Sequence, residues 1–156
     1  MLFDLRLPTC ILMRIWFDMD GTIADLYAVE NWLADLRAER TRPYDMAKAL
    51  VNLSLLARLL HKAQAEGHEV GIISWTSKGG SDAYNMAVAD AKVRWLAKHL
   101  PSVHWDAVKV VPYGTNKLTA TGGGILFDDE EPNRTAWGEG AYTPSEIYEV
   151  LRGMGG

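Results

Sequence analysis

Apolar and polar positions alternate along this chain between short unbroken apolar runs and longer stretches in which apolar residues recur every three or four places. The runs read as buried strands and the periodic stretches as amphipathic helices. Arg14 to Phe17 is the first strand, closed by acidic residues and a glycine. Val29, Trp32, Leu33 and Leu36 predict a helix over 27–39, which Thr41-Arg42-Pro43 breaks. A longer helix is expected from about Asp45, with Met46, Leu50, Leu53, Leu56, Leu60 and Ala63 on one face and Gly67 as its stop. Glu69 to Ser74 is the second strand. Lys78 to Ser81 is a loop, and Ser81 or Asp82 caps a helix that runs to about Leu100, with Met86, Ala89, Val93, Leu96 and Leu100 inward. Ala107 to Val111 is the third strand, 112–124 a glycine- and threonine-rich loop, and Ile125 to Phe127 the fourth strand. Pro132 fits the first turn of a short helix, Ala141-Tyr142 a brief edge strand, and Thr143-Pro144-Ser145-Glu146 a capping box that opens the last helix.

Strands alternating with helices imply an α/β fold, a mainly parallel sheet with helices on both faces. Ligands on such sheets bind at the carboxyl ends of the strands. The length of 156 residues fits one domain, and the 48% hydrophobic and 23% charged fractions are those of a globular protein. A net charge of -4 argues against general nucleic-acid binding, which needs a basic surface, but leaves room for a small phosphorylated substrate. The single cysteine, Cys10, permits no internal disulfide and suits a reducing, cytoplasmic setting. Leu2 to Phe17 is apolar but interrupted by Asp4, Arg6, Pro8 and Arg14, too broken for a membrane span. Because the first strand opens at Met13, residues 1–12 read as an extension that need not be native, and 13–156 as the domain.

The residues that follow the strands carry the chemistry. Phe17-Asp18-Met19-Asp20-Gly21-Thr22 puts two carboxylates on one side of an extended chain, and like charges that close call for a cation or a shared proton. A hard divalent ion such as Mg²⁺ suits an all-oxygen set. Gly21 allows a sharp turn and a close backbone approach to a ligand. Ser74 ends the second strand, ahead of Trp75 and Thr76, where a hydroxyl can donate to a phosphate oxygen or cap a turn. Lys117 lies in the loop after the third strand, as a phosphate ligand or a solvated charge. Asp128 and Asp129 end the fourth strand, as metal ligands or as acids at a helix N-terminus. Tyr27, Trp32, Arg42, Tyr44 and Trp75 are candidates to stack on a base or hold a second phosphate, or are core residues. The four histidines show no ligand spacing.

Asp-x-Asp, Ser, Lys and Asp-Asp, each after a successive strand, resemble the four motifs of the haloacid-dehalogenase (HAD) superfamily over about residues 13–152. The string Asp18-Met19-Asp20-Gly21-Thr22-Ile23-Ala24-Asp25, with Asp128-Asp129 and then Pro132-Asn133, is similar to the 5'(3')-deoxyribonucleotidases, and the whole to small HAD-like proteins of phages and bacteria. The resemblance implies a three-layer Rossmann-like fold and a phosphatase. Asp18 would be the nucleophile and Asp20 the acid and base. Ser74 and Lys117 would bind the phosphoryl oxygens. Mg²⁺ would sit among Asp18, Asp20 (through its backbone carbonyl) and Asp128, with Asp129 as an alternative ligand. Trp75, Thr76, Gly21 and Arg42 would contact the substrate, expected to be a nucleotide or a nucleic-acid terminal phosphate. Large caps are common in the superfamily, but here only about 26–44 is free to form one, so the site is open or closed by a second subunit of a homo-oligomer. The competing reading is a non-catalytic protein that holds a phosphorylated ligand. A phosphomutase, which needs a cap that excludes water, is disfavoured.

Overall fold

The computed structural model describes residues 11–154, so the expectation for 1–12 lies almost wholly outside the described residues. β1 (Arg14–Phe17) is central in a parallel five-stranded sheet, beside β4 (Glu69–Trp75) and β6 (Ile125–Phe127). β5 (Ala107–Val111) lies outside β4, and β7 (Ala141–Tyr142) outside β6. The registers run Phe17 beside Ile72 and beside Phe127, so the ends of β1 and β6 lie level while β4 runs on past them to Trp75.

Alternation along β1 divides the core. Ile15 and Phe17 face one side, with Val70, Ile72, Ile125 and Phe127, and are covered by α3 (Leu53–Ala65), the carboxyl half of α4 (Asp82–His99) and α7 (Ile147–Met154). Trp16 faces the other, with Ile73 and Leu126, under Trp137 of α6 (Glu131–Trp137) and Ala120 of α5 (Lys117–Thr121). Gly71 beside Trp16 has no room for a side chain, since a Cβ there would sit 2.6 Å from the indole. The three-layer α/β architecture is the one read from the sequence.

Three local readings differ. The helix expected over 27–39 is a 3-10 turn at Leu26–Ala28 followed by α1 (Trp32–Arg37), because Val29 is extended and Asn31 left-handed at φ 63°. Thr41-Arg42-Pro43 starts a helix rather than breaking one: α2 (Arg42–Met46) accommodates Pro43 in its first turn, where no amide donor is needed. The helix expected from Asp45 is cut, since Lys48–Ala49 forms a two-residue strand, β3, antiparallel to β2 (Ala24–Asp25). α3 begins only at Leu53, with the Asn52 side chain accepting from the Leu55 amide at 3.0 Å. Met46 and Leu50, assigned to the buried face, are exposed.

α4 is rotated from the face expected of it. Met86 and Val93 are exposed, and the buried stripe is Tyr84, Val88, Ala91, Lys92, Trp95 and Leu96. Its first half packs against Leu26 and Tyr44 of the segment between β1 and α3 in an apolar cluster separate from the two on the sheet. Among the described residues no helix is long and apolar enough to cross a membrane.

Candidate active site

The turn after β1 aims the site. The Met19 carbonyl accepts from the amides of Thr22, Ile23 and Ala24 at 3.0–3.1 Å, closing a tight loop. Met19 points into the core at 1% exposure while Asp18 and Asp20 line a cleft on the opposite side, as strand alternation requires. Gly21 sits at φ +83°, and a Cβ on it would overlap the Asp129 carboxylate. It makes the turn and lets Asp129 approach; it does not line the cleft.

Asp18 is buried and held from two sides. Lys117 Nζ donates to Asp18 Oδ1 at 2.8 Å and to Asp128 Oδ2 at 2.7 Å. The Thr22 hydroxyl lies 3.0 Å from Asp18 Oδ2 and 3.3 Å from Asp129 Oδ1, and accepts from the Asp129 amide. Asn133 donates to Asp128 Oδ2 at 3.2 Å, and the Glu130 amide to its Oδ1 at 2.9 Å. Lys117 is not in a loop but opens α5, which Asn116 caps by accepting from the Thr119 amide and which Gly122 ends in the left-handed region at φ +84°. The hidden helix is five residues long, and its cap is what fixes the lysine.

Asp18, Asp128 and Asp129 can each offer an oxygen within 4.8 Å of the others. Burial, and then the negative charge of Asp18, push the carboxyls of Asp128 and Asp129 above the usual carboxylate range; the Lys117 ammonium opposes this at Asp128. Three carboxylates against one ammonium leave net negative charge that a hard cation would offset, and an all-oxygen set fits magnesium. The Asp20 carboxylate does not belong to this cluster. It points instead to Lys92, 2.9 Å away. Burial raises the Asp20 pKa and the Lys92 charge works against that shift.

The cleft holds about 390 Å³. Asp18, Asp20, Ser74 and Lys117 lie at its polar end, and Thr76 beside them has a buried hydroxyl with no partner among the described residues. Trp75 and Tyr113 form one wall, rings 4.8 Å apart, with the indole N–H donating to the Thr115 carbonyl at 2.9 Å. Tyr27 of the 3-10 turn, Trp32 of α1 and Tyr44 of α2 line the cleft from the segment between β2 and β3, Tyr27 and Trp32 edge to face at 5.0 Å. Arg42 does not line it. Its guanidinium donates to the Glu30 carbonyl at 3.1 Å and to buried Asp35 at 3.0 Å. Arg37 and Lys78 are the basic residues at the rim instead. Helical spacing cannot tell which of two nearby arginines has an internal partner.

No protein-family model and no curated protein matches the sequence. Solved structures match its fold. The fold is similar to that of D,D-heptose 1,7-bisphosphate phosphatase from Burkholderia thailandensis, with a TM-score of 0.53 and 15% identity over 89% of this chain and 98% of that one. The chain shares that enzyme's fold. The corresponding enzyme from B. bronchiseptica, crystallised with magnesium and phosphate, gives 0.54 and 16%, over 91% and 99%.

Proposed function

We propose that this chain is a magnesium-dependent phosphomonoesterase of the HAD type that works through an aspartyl-phosphate on Asp18. The observation that carries the reading is the convergence, at one end of one cleft, of Asp18 and Asp20 with Ser74 and Lys117 from three separate segments, with Asp128 and Asp129 behind Asp18. The likeness of fold to phosphatases, one of them holding magnesium and phosphate, supports it.

In the first step an Asp18 oxygen bonds to phosphorus as the bond from phosphorus to the ester oxygen breaks. The leaving oxygen takes the proton of Asp20 and departs as an alcohol. In the second, water bonds to phosphorus and gives its proton to the Asp20 carboxylate as the bond from phosphorus to Asp18 breaks, which frees inorganic phosphate. Lys117 and the hydroxyls of Ser74 and Thr76 hold the phosphoryl oxygens. Asp18, Asp128 and Asp129 would hold the magnesium ion, whose contribution is to neutralise charge at the transferring group.

The segment around 26–44 serves as a small cap. Its Tyr27 and Trp32, facing Trp75 and Tyr113, suit a planar base, and Arg37 and Lys78 at the rim suit further phosphate. The favoured substrate is therefore a nucleotide or the terminal phosphate of an oligonucleotide, in keeping with the motif similarity to deoxyribonucleotidases. The test is phosphate release from nucleotides, sugar phosphates and phosphorylated oligonucleotides, with and without magnesium, by wild type and Asp18→Asn. Wild type should turn over, and Asp18→Asn should lose several powers of ten in rate, at about 1.4 kcal/mol for each. Tight phosphate binding without release by wild type would favour a non-catalytic ligand carrier, and a clear preference for sugar phosphates would remove the nucleotide assignment.

A further inference from the structure

α4 carries a lysine in the middle of its buried face. Lys92 is 1% exposed, and its ammonium ends between β4 and the turn after β1 rather than in solvent. Nζ donates to Asp20 Oδ2 at 2.9 Å, to Ser74 Oγ at 2.6 Å and to the Trp75 carbonyl at 2.8 Å. An ammonium has three protons, so every donor is engaged and none is left for a ligand. The ring of Tyr44 covers the group, its centroid 5.3 Å from Nζ. Burying such a charge is costly unless it is paired and fully hydrogen-bonded, and a methionine or leucine would fill the same stripe.

We infer that Lys92 is a positioning residue that fixes both the proton-transferring carboxyl of Asp20 and the hydroxyl of Ser74. Its bond to Asp20 holds one carboxyl oxygen and leaves the other directed at the cleft. Its bond to Ser74 occupies a lone pair of Oγ, so the single hydroxyl proton is free to point outward; among the described residues that proton has no protein acceptor. The Trp75 carbonyl anchors the ammonium to the end of β4. One cation thus locks the relative placement of groups from β4 and from the turn after β1, across a gap that no backbone hydrogen bond among the described residues closes.

This rests on the phosphatase reading, and the test separates the two. Protonation of the leaving oxygen matters greatly for an alkyl phosphate and little for p-nitrophenyl phosphate, whose leaving group departs unaided. kcat/KM reports only the steps up to departure of that group, so the ratio of the two values isolates the acid role of Asp20. The ratio is taken within each preparation, so a reduced folded fraction does not alter it. Lys92→Met is expected to lower kcat/KM for a nucleoside or alkyl phosphate about a hundredfold more than for p-nitrophenyl phosphate. Lys92→Gln, which retains a donor, should fall between Lys92→Met and wild type. In an Asp20→Asn background Lys92→Met should leave the ratio unchanged, because the group it positions is already lost. Equal losses on both substrates, or a full further change of the ratio in the Asp20→Asn background, would overturn the inference and make Lys92 a packing residue. Wild type that releases phosphate from neither substrate would overturn the phosphatase reading, and the inference with it.

Discussion

Gly21 shows how narrow the tolerances are at the level of single residues. An alanine there must adopt a left-handed conformation, which costs an L-residue about 1–2 kcal/mol, and its Cβ must displace the Asp129 carboxylate. Gly21→Ala should lower thermal stability modestly but weaken magnesium binding much more, as read by unfolding scans across a magnesium titration. Trp75→Ala addresses the opposite wall. If the indole stacks on a base, KM for nucleotides rises several-fold while that for p-nitrophenyl phosphate stays put; equal changes would show that Trp75 only supports the fold. The placement of Asp18, Ser74 and Asp128 at or beside strand ends was legible in the sequence, because strand ends are where such folds place their sites. Lys92 was not, because a stripe sought among apolar residues passes over a charged one. Arg42 was misplaced as a ligand-facing residue because its claim to Asp35 depends on a contact that only the folded α1–α2 segment makes.

At the scale of elements, a very short helix fixes one of the cleft's charged side chains. α5 has five residues, and Asn116 supplies its N-cap bond. Asn116→Ala should cost about 1 kcal/mol of stability. By loosening Lys117 it should also lower kcat/KM. Asn52→Ala removes the matching cap of the thirteen-residue α3, which does not line the cleft, and should cost similar stability with unchanged kcat/KM. Calorimetry beside phosphate-release kinetics on both variants makes the comparison, and parallel losses of activity would show that Lys117 does not depend on its cap. The reading of one helix from Asp45 to Gly67 failed for a related reason. Hydrophobic spacing continues through Met46 and Leu50 into Leu53, but Asn52 caps a new helix and Lys48–Ala49 is taken up by pairing with Ala24–Asp25. Pattern alone does not reveal a two-residue ribbon.

For the whole molecule, central placement of β1 beside β6 means that the acidic cluster is built from the ends of these two strands, and forms only when they pair. A cation bound there favours the folded chain alone. Magnesium at a hundred times its dissociation constant should stabilise by about 2.7 kcal/mol, seen as a higher Tm that EDTA reverses. Asp128→Asn should remove most of that gain, and magnesium should support activity better than zinc, since the cluster offers oxygens only. A Tm indifferent to magnesium would leave the three carboxylates without the partner assigned to them.

The α1–α2 segment rests on α4 through its own apolar cluster of Leu26, Tyr44, Tyr84, Val88 and Ala91, outside both cores of the sheet. With that cluster and a few hydrogen bonds to α4 as its anchors, the segment is expected to open before the whole chain unfolds. Its amides should therefore exchange with deuterium as a group, well ahead of those in β1 and β4. When Tyr44 lifts away with it, the ammonium beneath is opened to water for as long as the excursion lasts.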